Sequence, residues 1–224
     1  MSRLDKIDTG EYRKRLRAKI LNRFSIFETQ KVNSKDICDA LNSILRLSIS
    51  FKPLQTQQCK GTDFVLIGFY DAERDQFSNK KCITIYICEH LDRPKKLTKQ
   101  RLQDLAYTIT DCIIHELLHR RQSQRRDFIP NFIRTFQNDE KVVYLANPDE
   151  MESYAHNIAS EMLDQYGHKS LEMLTNPKKI GINQHLDLYH KYFVGTPDEF
   201  MLRRLYKQIY KYMGKLGHEY INNT

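Results

Sequence analysis

The chain has 224 residues, 40 % of them hydrophobic and 29 % charged, with no Trp but 13 Tyr and 11 Phe. That length can bury a core without crosslinks, and the balance excludes a disordered, collagen-like or membrane-embedded chain. The net charge of +8 favours acidic partners, nucleic acid or an acidic protein surface, without choosing between them.

The first residues, MSRLDKIDTGEYRKRLR, are charged and lack the apolar core of a secretory signal, and no apolar run approaches the roughly 18 residues of a membrane span. The expectation is a cytoplasmic protein, or one packaged into a particle assembled there, with no membrane partner. Cys38, Cys59, Cys82, Cys88 and Cys112 are odd in number, irregularly spaced and free of any CxxC, which predicts reduced thiols rather than a disulfide framework. A single domain over 1–224 is expected, with a sheet and helix lobe at 45–125 and a helical lobe at 147–224.

Residues 10–24 predict a basic helix with Leu16, Ile20 and Leu21 as its apolar stripe and Arg13, Lys14, Arg15, Arg17 and Lys19 around it. Ser34 reads as the cap of a short helix reaching about 44. RLSISF (46–51) alternates as a strand that Pro53 ends. DFVLIGFY (63–70) and KCITIYICEH (81–90) read as two more strands, joined through a polar turn at 71–80. About ten residues suffice for an antiparallel hairpin. Ile83, Ile85 and Ile87 share one face of the last strand, whose edge could bind an extended peptide. Thr98 then caps a long helix over 99 to about 124. Residues 125–146 read as irregular, and helices follow from Pro148 to about Tyr166 and over 197–213.

The long helix carries IIHELLHRR, residues 113–121. A helix advances about 100° and 1.5 Å per residue, so His115 and His119 project from one side, one turn apart. Two imidazoles so placed can share a metal ion, and Glu116, beside them, can reach a water on that ion without ligating it. The spacing HExxH therefore suits metal-assisted hydrolysis.

A catalytic zinc takes three protein ligands and keeps a position open. The third is sought in NPDEMESYAHNIASEML (147–163). Asn147 reads as a cap, Pro148 as the first helical residue and Glu150 as the reciprocal member of a capping box. Glu152 lies inside the helix on a face with Ala155, His156 and Ala159, and is the expected ligand, with Glu150 and His156 as alternatives. Tyr154 and His156, with His185 and Tyr189 behind them, are candidates to stabilise a tetrahedral oxyanion. Arg120, Arg121, Arg125 and Arg126 form a basic cluster suited to substrate or nucleic acid.

HExxH followed by a helix with an E-x-E-x-Y-A-like setting resembles the zincin metallopeptidases, and within them the gluzincin class, including small bacterial and phage members. The resemblance covers roughly residues 60–165; the two arginines directly after His119 depart from it. It implies an α+β fold: a small, mainly antiparallel sheet on an active-site helix, then a helical lobe supplying the third ligand. It further implies Zn2+ as cofactor, Glu116 as general base and peptide-bond hydrolysis on a protein or peptide substrate. Two other readings compete. One is a nucleic-acid-associated protease of Spartan type, with His156, His168 or His185 as third ligand; the other is a non-enzymatic zinc-binding assembly protein.

Overall fold

The structure is a computed structural model of the whole chain. It describes residues 10–45, 48–55, 64–78, 81–89, 95–131, 135–175 and 183–221. The chain is mixed α+β and divides into two compact units: Tyr12–Phe128, and Ile129–Thr224 together with Met1–Glu11.

In the first unit, α1 (Gly10–Phe24) buries Leu16 and Ile20 as its spacing predicts. Arg13, expected in solvent, is instead buried and ion-paired with Asp111. It lies three residues from Leu16, so it shares the apolar side of the helix. α2 (Ser34–Ile44) is capped one residue earlier than expected. Asn33 Oδ1 accepts from the Asp36 N–H and Asp36 Oδ2 accepts from the Asn33 N–H, each at 2.9 Å. Both orphan donors are thereby satisfied.

β1 (Lys31–Val32) and β5 (Lys95–Lys96) form a small antiparallel ribbon. The main sheet contains β2 (Ile49–Gln55), β4 (Ile83–Glu89) and β3 (Val65–Tyr70), in the order β2-β4-β3. β3 and β4 make the expected antiparallel hairpin, with Gly68 opposite Ile85. β2 runs parallel to β4, so the sheet is mixed rather than mainly antiparallel. This overturns the open edge expected for β4, which is paired on both sides. Residues 46 and 47 of the expected first strand lie outside the described residues.

Pro53 sits inside β2 rather than ending it. The N–H and C=O of Phe51, two residues earlier, point away from β4 and bond the side-chain amide of Asn42 at 3.0 and 2.9 Å. Backbone groups alternate sides along a strand, so the missing Pro53 N–H falls on that same outer side and no ladder bond is lost. The polar turn expected at 71–80 contains a helix, α3 (Ala72–Ser78). Ile83, Ile85 and Ile87 are fully buried. α4 (Lys99–Arg125) packs on β3 and β4 and begins where Thr98 Oγ1 accepts the Arg101 N–H at 3.3 Å.

The second unit is helical: α5 (Glu140–Ala146), α6 (Pro148–Tyr166), α7 (Ser170–Thr175), α8 (Gln184–Phe193) and α9 (Phe200–Ile221). α5 lies in the stretch expected to be irregular, and Asp139 caps it. α6 and α9 pack along each other, with Ile158, Met162, Leu205, Ile209 and Tyr212 among the buried side chains between them and their neighbours. Each such burial is worth about 1.5–3 kcal/mol, enough to hold a helical unit without a sheet. Asp198 is fully buried and accepts the Phe136 and Gln137 N–H groups. No described helix is long and apolar enough to cross a membrane. Cys38, Cys82, Cys88 and Cys112 are free thiols, and Cys59 lies outside the described residues.

Candidate metal centre

His115 and His119 lie on one side of α4, their ring centroids 4.6 Å apart and the rings at 77°. His119 Nδ1 stands 3.2 Å from Gln122 Oε1. An amide oxygen only accepts, so Nδ1 carries the proton and the lone pair sits on Nε2. This is how a neighbouring acceptor fixes the tautomer that a metal requires. Gln122 is the residue three along from His119, one helical turn further on.

Glu116 is 6 % exposed. Its carboxylate lies against β3 at Gly68: a Cβ built on that glycine would stand 2.2 Å from Glu116 Oε1. Burial pushes the Cys112 thiol above its ordinary range, and the charges of Glu116 and Asp111 add to the shift. Cys112, half-buried, is one turn before Glu116 on the same helix.

The arginines after the motif are not a solvated cluster. Arg120 donates through Nε at 3.0 Å and Nη2 at 2.8 Å to the two oxygens of Asp75, and through Nη1 to Ser48 Oγ at 2.9 Å. Gln124 Nε2 and the Tyr70 hydroxyl also donate to Asp75 Oδ2, at 2.9 and 3.1 Å. Burial raises the Asp75 carboxyl, but the bonds and charge from Arg120, with help from Cys82 and Tyr70, outweigh it and hold the pKa below the usual range. Asp75 thereby ties α3 to α4 beside the histidines. Arg121 is buried, Arg126 half-buried and Arg125 exposed, so a four-arginine surface patch is not what this helix end presents.

On α6, Asn147 Oδ1 accepts the Asp149 N–H at 2.9 Å. That is one position short of the amide a capping box uses, so Glu150 is not needed as its partner. Glu150 and Glu152 are two residues apart, about 200° around the helix, and face opposite ways. Glu152 turns to α9: its Oε1 accepts the Tyr212 hydroxyl at 2.5 Å and lies 3.9 Å from Lys211 Nζ. His156, one turn on, is 1 % exposed with its ring at 74° to that of Tyr212, centroids 5.0 Å apart.

Glu150 lies on the other stripe, with Tyr154 one turn on. The Tyr154 ring packs on those of Tyr144, His185 and Tyr189, at centroid distances of 6.4, 5.0 and 5.9 Å. Burial drives the Tyr144 hydroxyl well above its ordinary range, followed by the charges of Glu150 and Tyr154. Of the three candidates for third ligand, Glu152 is engaged by Tyr212 and Lys211 of α9 and His156 is buried against the Tyr212 ring, while Glu150 lies on the stripe of Tyr144 and Tyr154.

Three residues of this setting were not anticipated. Gln122 could have been found at the i+3 position from a motif histidine, and Gly68 as a lone glycine inside a strand pattern. Nothing in the local sequence marks Asp75. No family model, no curated protein and no solved structure matches the chain.

Proposed function

We propose that this chain is a metal-dependent peptidase in which His115, His119 and Glu150 hold a zinc ion and Glu116 is the general base. The observation that carries the reading is the pair of imidazoles on one side of α4, ring centroids 4.6 Å apart, with the buried carboxylate of Glu116 beside them; Glu150 is taken as third ligand because Glu152 is engaged by Tyr212 of α9. The donor set fits the ion: two imidazoles and one carboxylate are the ligands of an open catalytic zinc site, and a tetrahedral ion with bonds of about 2.0 Å wants donors about 3.3 Å apart. When bound, the ion supplies Lewis acidity and makes water a nucleophile at neutral pH.

The chain's own residues do the rest. Gln122 keeps His119 in the tautomer whose Nε2 can ligate. Glu116 takes the proton of the attacking water and delivers it to the leaving amine. Its carboxylate is buried and lies against the β3 backbone at Gly68, which limits the access of competing water. Arg120 is held by Asp75 and Arg121 is buried, so neither supports a reading built on nucleic acid.

The test is metal analysis and hydrolysis of fluorescein-labelled casein by the zinc-loaded full chain. Glu116→Gln should keep one equivalent of zinc and lose about 10²–10⁴-fold in kcat, the usual worth of a general base. Zinc-loaded protein without peptidase activity, or an active Glu116→Gln variant, contradicts the proposal.

A further inference from the structure

Glycine inside a strand costs about 0.5–1 kcal/mol relative to alanine, so a mid-strand glycine calls for a reason. Gly68 is such a residue, at the fourth position of β3. Its backbone is not in the left-handed region, which among the described glycines is occupied by Gly167 and Gly195. What Gly68 supplies is space. A Cβ there would meet Glu116 Oε1 at 2.2 Å, Cδ at 2.7 Å and Cγ at 2.8 Å. All three atoms belong to one side chain, the carboxylate beside the two histidines.

We infer that Gly68 is a positioning residue for Glu116: the missing side chain leaves a notch in β3 that receives the carboxylate and fixes where its oxygens stand. Its bearing on catalysis rests on the function proposed above; the contact itself does not. Alternation puts Leu66, Gly68 and Tyr70 on one face of β3, and this is the face α4 packs on. A glutamate on a helix has several rotamers, and the strand wall removes those that would carry the carboxylate further into the sheet. An alanine methyl at 68 needs about 3.4 Å to the nearest oxygen, so that oxygen must retreat by about 1 Å (3.4 − 2.2 = 1.2). A misplacement of that size at a reacting group costs on the order of 10²-fold in rate. The metal ligands are separate side chains, so their hold on an ion is untouched.

Two measurements test this. The first needs no activity: thermal melts of wild type, Gly68→Ala, Glu116→Ala and the double variant. Gly68→Ala should lower Tm by roughly 2–10 °C when Glu116 is present. With Glu116→Ala the loss should vanish or reverse, since alanine suits a strand better than glycine. An equal loss in both backgrounds overturns the inference.

The second uses the Co2+-substituted full chain. Gly68→Ala should bind one Co2+ with wild-type affinity and change the visible absorption bands in the direction Glu116→Gln changes them. On labelled casein its kcat should fall about 10²-fold with KM unchanged. A wild-type spectrum and kcat in Gly68→Ala overturn the positioning role. If wild type cleaves no casein, the proposed function fails, while the thermal cycle and the Co2+ spectrum still decide whether Gly68 seats Glu116.

Discussion

In α4 the two imidazoles are four residues apart, and one helical turn brings them to the same side, ring centroids 4.6 Å apart. In α6 the two carboxylates are two residues apart, and the same helix geometry sends them to opposite sides. Glu152 meets Tyr212 of α9, while Glu150 lies along the stripe of Tyr154. The supports differ as well. α4 is braced from outside by Asp75, whose two oxygens accept from Arg120 Nε and Nη2. α6 is braced along its length by α9, an apolar contact in which Glu152 and His156 serve as the polar members. A pair on one helix is thus set by covalent spacing, whereas the choice between two helical neighbours is set by what the rest of the unit packs against each side.

The largest effect expected from breaking this comparison is at the brace of α4. Asp75→Ala leaves the Arg120 guanidinium without its carboxylate and should cost about 3–5 kcal/mol in a urea titration, as for a broken buried ion pair. The pH dependence has a definite sign. The folded-state pKa of Asp75 is depressed, so its contribution is complete above the unfolded value of about 3.9 and fades as pH falls through the lower folded value. The acid limb of wild-type stability should therefore be steeper than that of Asp75→Ala; parallel limbs would show that Asp75 does not carry it.

The next test separates the two faces of α6. Glu152→Ala should keep stoichiometric zinc and lose about 1.5–3 kcal/mol of stability, the worth of a hydrogen bond to a charged group. Glu150→Ala should do the reverse, losing the metal with little change in the melt of the apo protein. Zinc retained by Glu150→Ala and lost by Glu152→Ala would restore the assignment read from the sequence. The smallest effect concerns the His119 tautomer: Gln122→Ala should weaken zinc affinity about 10–100-fold without abolishing binding. Competition with a chelator would register it, and an unchanged affinity would mean that Gln122 does not orient the ring.

These tests also mark how far the sequence reaches. Helices α1, α2, α4 and α6, the β3–β4 hairpin and the buried face of Ile83, Ile85 and Ile87 are legible because apolar period and caps are local signals. The histidine pair is legible for the same reason. The parallel pairing of β2 with β4 is not, because strand direction depends on where the intervening chain returns. Nor is Asp75 legible: its partner Arg120 lies 45 residues away, and the helix that carries it reads as a polar turn. A cap role for Glu150 points the sequence reading to Glu152 as ligand; in the structure Asn147 caps α6 through the Asp149 N–H. The arginines after His119 look like a docking patch until burial is known, because a buried guanidinium and a solvated one have the same one-letter code.

The outer side of β2 has a consequence for solubility. An exposed sheet margin is a template on which another molecule can zip up, and cells pay for such margins in aggregates. Here the Asn42 amide fills the slot a visiting strand would take at Phe51, and two residues on Pro53 has no donor to offer. Strand addition is thereby opposed at Phe51 and Pro53, and a Pro53→Val exchange would remove one of the two guards while leaving the internal ladder complete.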